Sequence, residues 1–185
     1  MVNYTPILST KQVAIIPTDT LYGLVALASD EDAVARLYRL KNREGQPGTL
    51  IAASIDQFVQ LGLKKRYLTA VEQYWPGAVS VIIPAGNELN YLHQGKNSLA
   101  VRIPDVKELR EYLESTGPLL TSSANLHNQP PANNLDEARA YFGNKVDFYI
   151  DGGDMSGNAP STVLRVIDDA VEVLREGAVK IAGQD

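Results

Sequence analysis

The sequence has no cysteine, which excludes disulfides, thiolate zinc sites and cysteine nucleophiles together. Histidine is scarce: His93 and His127 are the only 2, too few for a His-rich metal site. With 3 Phe and 1 Trp there is no ladder of rings for stacking nucleic-acid bases. No apolar run approaches the roughly 20 residues that span a bilayer. Met1–Lys11 shows no apolar stretch behind a basic start, so no secretory signal is expected. Positive charge is not in excess either. The 17 Lys and Arg stand against 22 Asp and Glu, a net charge of −5, which excludes a uniformly basic nucleic-acid coat. These absences predict a cytoplasmic protein without membrane contact.

What remains is an ordinary globular mixture, 44% hydrophobic and 21% charged over 185 residues, which suits one domain spanning 1–185. Short apolar runs bounded by Gly, Pro or Asp predict strands at Val13–Ile16, Leu50–Ala53, Val79–Ile83, Leu99–Ile103, Leu119–Thr121, Phe148–Ile150, Thr162–Val166 and Val171–Leu174. Helix-start signals fall between them, at Ser29/Asp32, Ser54/Gln57, Thr69/Glu72, Asp105/Glu108 and Asn134/Glu137. Strands alternating with helices predict a single α/β domain, and the closely paired late strands predict a mixed sheet. Charge is uneven. Residues 36–66 carry Arg36, Arg39, Lys41, Arg43, Lys64, Lys65 and Arg66 against Glu44 and Asp56, a net of +5. Such a run reads either as solvated helix surface or as a local anion site.

Six segments carry chemistry. Pro17-Thr18-Asp19-Thr20-Leu21-Tyr22-Gly23-Leu24 follows an apolar strand with hydroxyls, a carboxylate and a phenol, and Gly23 reads as permitting a turn. Strand ends of open α/β sheets are where ligands bind. Lys41-Asn42-Arg43-Glu44 closes a helix next to a Gly/Pro loop, as a phosphate grip or as cations on the helix dipole. Trp75-Pro76-Gly77 reads as a core ring followed by a helix stop, with Pro76–Gly77 able to shape a ligand wall. Arg102 lies inside an apolar strand, where a charge needs either a ligand or a carboxylate partner. Thr121-Ser122-Ser123-Ala124-Asn125 ends a strand in small polar groups that let backbone N–H groups approach an anion. No base pairs with these hydroxyls except His127, itself read as a loop residue, so a nucleophilic serine is not expected. Asp151-Gly152-Gly153 and Pro160-Ser161-Thr162-Val163 read as a hairpin-like connection or as a loop closing over substrate. The common nucleotide loops, Gly-x-x-x-x-Gly-Lys-Ser/Thr and Gly-x-Gly-x-x-Gly, are missing.

In this order, with Leu174-Arg175-Glu176-Gly177 closing the pattern, the segments resemble the YrdC/TsaC family of threonylcarbamoyl-AMP synthases from about Ser9 to Gly177. The resemblance is to the short single-domain form. It implies a twisted mixed sheet flanked by helices around a concave cavity. It implies that L-threonine, bicarbonate and ATP give threonylcarbamoyl-AMP and pyrophosphate, for modification of the adenosine beside the anticodon of tRNA by partner proteins. Carried over by motif, Lys41, Arg43 and Arg102 would be catalytic. Thr18, Thr20, Tyr22, Arg102 and Ser161 would hold threonine or its carbamate. Lys41, Arg43, Ser122, Ser123, Asn125 and Arg175 would hold the nucleotide. Mg²⁺ would arrive with ATP, with no tightly bound cofactor, and the protein would be a monomer with at most weak RNA binding. The alternative is a non-catalytic RNA-binding factor of the tRNA or ribosome-assembly kind, supported by the basic 36–66 stretch. The chain departs from the family at Glu44, Gly48–Thr49, Ala52, Ser80 and Leu126-His127-Asn128.

Overall fold

The computed structural model describes residues 2–42, 45–167 and 170–181. Within these residues nine strands form one mixed sheet: β1 Val13–Pro17, β2 Tyr22–Leu27, β3 Thr49–Ile51, β4 Val79–Pro84, β5 Ser98–Arg102, β6 Leu119–Ser123, β7 Phe148–Tyr149, β8 Thr162–Ile167 and β9 Ala170–Arg175. Their order is β7-β1-β2-β6-β3-β5-β4-β8-β9. Pairing is parallel for β1/β7, β3/β5 and β4/β8, and antiparallel elsewhere. The expected mixed α/β architecture is therefore what the chain adopts.

Among the described residues six helices flank the sheet: α1 Glu31–Lys41, α2 Ile55–Leu61, α3 Lys65–Thr69, α4 Asn90–His93, α5 Lys107–Thr116 and α6 Leu135–Phe142. Strand alternation sends side chains to two cores. On one face Val13, Ile15, Tyr22 and Leu24 pack with Ala33, Val34 and Leu37 of α1. On the other, Ala14, Ile16, Val25 and Ile51 pack with Tyr4 and Leu8 and with Leu109, Tyr112 and Leu113 of α5. Burying one such Leu or Ile side chain contributes about 1.5–3 kcal/mol.

Local chemistry explains where several elements begin and end. Ser54 caps α2 by accepting from Gln57 N–H, and Gly62 ends it. Asn134 caps α6 in the same way by accepting from Glu137 N–H. The start of α1 differs from its sequence signal. Asp30, not Ser29, is the cap, because its carboxylate accepts from Ala33 N–H at 3.0 Å and also from Lys11 N–H at 2.6 Å. The Thr69/Glu72 signal marks the end of α3, followed by a single 3₁₀ turn at Glu72–Tyr74. Asp105 does not cap α5, whose cap position is Val106; it faces Arg110 at 3.4 Å.

Two sequence readings are corrected by topology. Tyr22–Leu27 is a full strand, and Gly23 sits inside it opposite Ile16 and Ser123 rather than in a turn. A Cβ at Gly23 would lie 2.5 Å from Thr121 Oγ1, so close approach and not turn geometry explains the glycine. The glycine-rich 151–160 segment joins β7 to β8, which lie far apart in the sheet order, so it is no hairpin.

Candidate active site

The second core stops where α5 and the N-terminal segment no longer cover the sheet, and small residues take over the same face. Directly paired residues point to one side. The pairs Gly23/Ser123, Thr121/Thr49, Thr49/Ala100 and Ala100/Ile82 thus form a shallow floor. A cavity of about 270 Å³ opens on it, and Thr18, Thr20, Tyr22, Arg102, Ser122, Ser123, Ser161 and Arg175 stand in its wall. The sequence-selected residues from five separate segments converge here. A larger cleft of about 580 Å³ beside Trp75 and Pro76 gathers few of them, which places Pro76 at a different wall.

Arg102 closes one end, with 4% of its side chain exposed. Its Nη2 lies 3.1 Å from Asp19 Oδ1, and its Nη1 donates to Thr20 Oγ1 at 3.3 Å. Thr18 gives its hydroxyl proton to Leu21 O at 2.7 Å, so across the 3.1 Å contact the Thr20 hydroxyl is the donor. A directed chain therefore runs from Arg102 through Thr20 and Thr18 to the backbone. Of the two partners considered for a strand-buried Arg102, the carboxylate is present as Asp19, and the guanidinium also borders the cavity. Burial drives the Asp19 carboxyl above its usual range, and Arg102 only partly offsets it. Burial likewise lowers the Arg102 guanidinium, with Asp19 opposing. An arginine remains cationic throughout.

The opposite end is built from β8 and β9. Arg175 Nη2 donates to Ser161 O at 2.7 Å and to Ser161 Oγ at 3.1 Å. Ser161 Oγ is hydrogen-bonded to buried Ser80 Oγ at 2.9 Å. The segment after β9 straps this corner: Ala178 N–H donates to Pro160 O at 2.8 Å, and Thr162 Oγ1 donates to Val179 O at 2.5 Å. Gly177 passes so close to Pro160 and Ser161 that no side chain fits there.

Other sequence-selected groups serve as supports. The Tyr22 hydroxyl accepts from Gly152 N–H at 2.7 Å and donates to Gly153 O at 2.9 Å, which pins the glycine-rich segment beside the cavity. Burial raises the phenol's pKa, with Gly152 N–H acting against it. Lys41 is buried outside the cavity wall, where its Nζ donates to Ser123 O, Asn125 O and Asn125 Oδ1 at 2.6–2.8 Å. Asn125 also lies off the wall; it accepts from Ser123 Oγ at 2.6 Å and donates to Gln129 O at 2.6 Å. Arg43 and Glu44 lie outside the described residues. His127 is an exposed loop residue.

The pairing of Asp19 with Arg102 and the Ser80–Ser161 contact are the parts that sequence reading missed. Their only linear signals were a carboxylate within a polar strand-end segment and a hydroxyl within an apolar strand. Among the described residues no carboxylate lines the cavity, and no three His, Cys, Asp or Glu side chains group as metal ligands. Two arginines and a ring of hydroxyls can hold and neutralise anions; they offer no nucleophile–base pair.

A family model for Sua5, YciO and YrdC proteins, described as telomere recombination, matches residues 6–177. A protein of Mycobacterium leprae named putative threonylcarbamoyl-AMP synthase is 32% identical over 92% of this chain and 80% of its own. The threonylcarbamoyl-AMP synthase of Serratia proteamaculans is 34% identical over 94% of this chain and 96% of its own. The crystal structure of P. abyssi Sua5 complexed with L-threonine superposes with a TM-score of 0.77 at 28% identity, over 90% of this chain and 51% of that one. This chain thus spans about half the length of that Sua5 protein.

Proposed function

Because the chain belongs to the Sua5/YciO/YrdC family, we propose that it is an L-threonylcarbamoyladenylate synthase. It joins L-threonine, bicarbonate and ATP into threonylcarbamoyl-AMP, pyrophosphate and water. The observation that carries this reading is the cavity wall: Arg102 with its hydroxyl chain at one end and Arg175 with Ser161 at the other.

The chemistry asks for such a wall. The threonine amine adds to carbon dioxide derived from bicarbonate, forming a carbamate and releasing a proton. A carbamate oxygen then attacks the α-phosphorus of ATP, and the bond to the bridging oxygen breaks as pyrophosphate leaves. Two anions must be held together while charge builds on phosphorus, so positioning and electrostatic stabilisation dominate. In this reading Arg102 holds the threonine carboxylate or carbamate, and Thr18, Thr20, Tyr22 and Ser161 shape that subsite. Ser122, Ser123, Asn125 and Arg175 serve the adenylate, and the phosphates are assigned to Lys41 and, by the sequence motif alone, to Arg43. Lys41, proposed with Arg43 at the phosphates, also fixes the Ser123–Asn125 turn behind the nucleotide subsite. Mg²⁺ comes as part of Mg-ATP, coordinated by phosphates and water. Hand-over to tRNA-modifying partner proteins, a weak salt-dependent RNA contact at exposed Lys64, Lys65 and Arg66, a monomeric state and a cytoplasmic location complete the proposal. No described helix is long and apolar enough to cross a membrane.

Pyrophosphate release measured with Mg-ATP is expected to require both threonine and bicarbonate. Release indifferent to threonine, or none at all, overturns the reading. The non-catalytic RNA-binding alternative is not favoured, since the relatives are named for a synthase.

A further inference from the structure

Asp19 has no place in the scheme above, yet among the described residues it is a buried carboxylate without a well-aligned hydrogen bond. Its side chain is 5% exposed, and neither carboxylate oxygen has a well-aligned hydrogen-bond donor, the backbone N–H groups of Asp19 and Asp105 helping the charge only weakly against burial. The 3.1 Å approach of Arg102 Nη2 is therefore a charge contact without an aligned hydrogen bond. Arg102 Nε is also buried without an acceptor. Desolvating two charges costs several kcal/mol each, and a pair so imperfectly satisfied does not recover it. Buried polar groups in folded proteins are nearly always paired, so an orphaned carboxylate needs another explanation.

The surroundings supply one. Asp19 sits between Thr18 and Thr20, whose hydroxyls carry the chain that begins at Arg102 Nη1. The guanidinium is thus held on two nitrogens by one four-residue link: Nη2 by the Asp19 charge, Nη1 by the Thr20 hydroxyl. Two contacts on different nitrogens fix a planar fork in orientation as well as position. We propose that Asp19 is the positioning residue for Arg102, locking the guanidinium in the plane in which it meets an anionic carboxylate or carbamate in the cavity. The inference rests on the proposed function for the identity of that anion and on the geometry alone for the lock.

The charged and titratable groups around the pair are Tyr4 of the N-terminal segment, Asp105 after β5, and Arg175 of β9, which faces Arg102 from across the cavity. With Asp19 protonated the pull on Nη2 is gone, so the lock weakens on acidification.

The test uses the full chain with ¹⁵N-labelled arginine. In the wild type, the Arg102 side chain gives a slowly exchanging Nε–H signal with hindered guanidinium rotation, identified by its absence in Arg102→Lys. In Asp19→Asn rotation is expected to become fast, and calorimetric threonine affinity at pH 7 to fall at least about tenfold. Threonine affinity should decline with falling pH in the wild type and stay flat in Asp19→Asn. Unchanged rotation in Asp19→Asn overturns the lock, whatever threonine does. A wild type that does not bind threonine overturns the proposed function and leaves the rotation measurement to decide the lock. If Asp19→Asn does not fold, Asp19→Glu replaces it: retained charge with slow rotation supports the lock, and fast rotation in a folded Asp19→Glu overturns it.

Discussion

The sheet has two unlike ends. At β1 and β2 every residue is buried, because α1 covers one face and α5 with the N-terminal segment covers the other. At β8 and β9 the strands alternate between buried, half-buried and exposed positions. The polar groups of the cavity cluster where cover on one face ends, between these extremes. The contrast teaches a division of labour. The covered end supplies stability through apolar area, whereas the region where cover ends holds charged and hydroxyl groups that cost stability and face a ligand.

The sharpest break in that contrast comes from Arg102→Ala. Removing a preorganised cation of this kind is expected to cost about 10²–10³ in turnover. It also leaves Asp19 unpaired, at about 3–5 kcal/mol of stability. The fold is kept by pairing the change with Asp19→Asn, and pyrophosphate release is then assayed on folded protein. Turnover near wild type in that double variant contradicts the role given to Arg102.

Ile15→Ala tests the other end. Ile15 is fully buried in the first core, on the face opposite the cavity. A loss of about 2–5 kcal/mol in chemical denaturation is expected, with turnover per folded molecule unchanged. A selective loss of turnover would erase the proposed division.

The smallest effect sits on the surface of the covered end. Asp30 is lowered from its ordinary pKa, first by the Ala33 N–H it caps and then by the Lys11 N–H. Ionised Asp30 therefore stabilises the fold above the unfolded carboxyl value of about 3.9. That contribution disappears as pH falls through the lower folded value. Asp30→Ala should cost about 0.5–2 kcal/mol near neutral pH, and the gap should close on acidification. A gap that persists in acid would assign the effect to packing instead.

How much of this could be read from the chain follows the same division. Most strands announced themselves as short apolar runs between turn residues. The exception, β2, is as apolar as any, but it follows the polar strand-end segment so closely that its first residues read as part of that segment. Four residues, Thr18–Leu21, are the whole link from β1. Helix α1 began one residue late because Ser29 and Asp30 are both good caps, and only the Lys11 N–H, nineteen residues away, favours Asp30. The wall of the cavity was legible because polar residues at strand ends break an apolar pattern. The supports behind it were not. Lys41 meets the Ser123–Asn125 turn, and Asp19 meets Arg102, across more than eighty residues of sequence. No local spacing encodes such a partner.

The position of β6 in the sheet has a consequence for how the protein assembles. Its neighbours β2 and β3 are joined to each other only through it, so before residues 119–123 insert, the chain holds two separate partial sheets. Contacts of that sequence separation form late and close large loops. The same strand brings Thr121, Ser122 and Ser123 to the cavity. The event that makes the sheet continuous is therefore also the event that lays the cavity floor, and a folding intermediate lacking β6 would have neither.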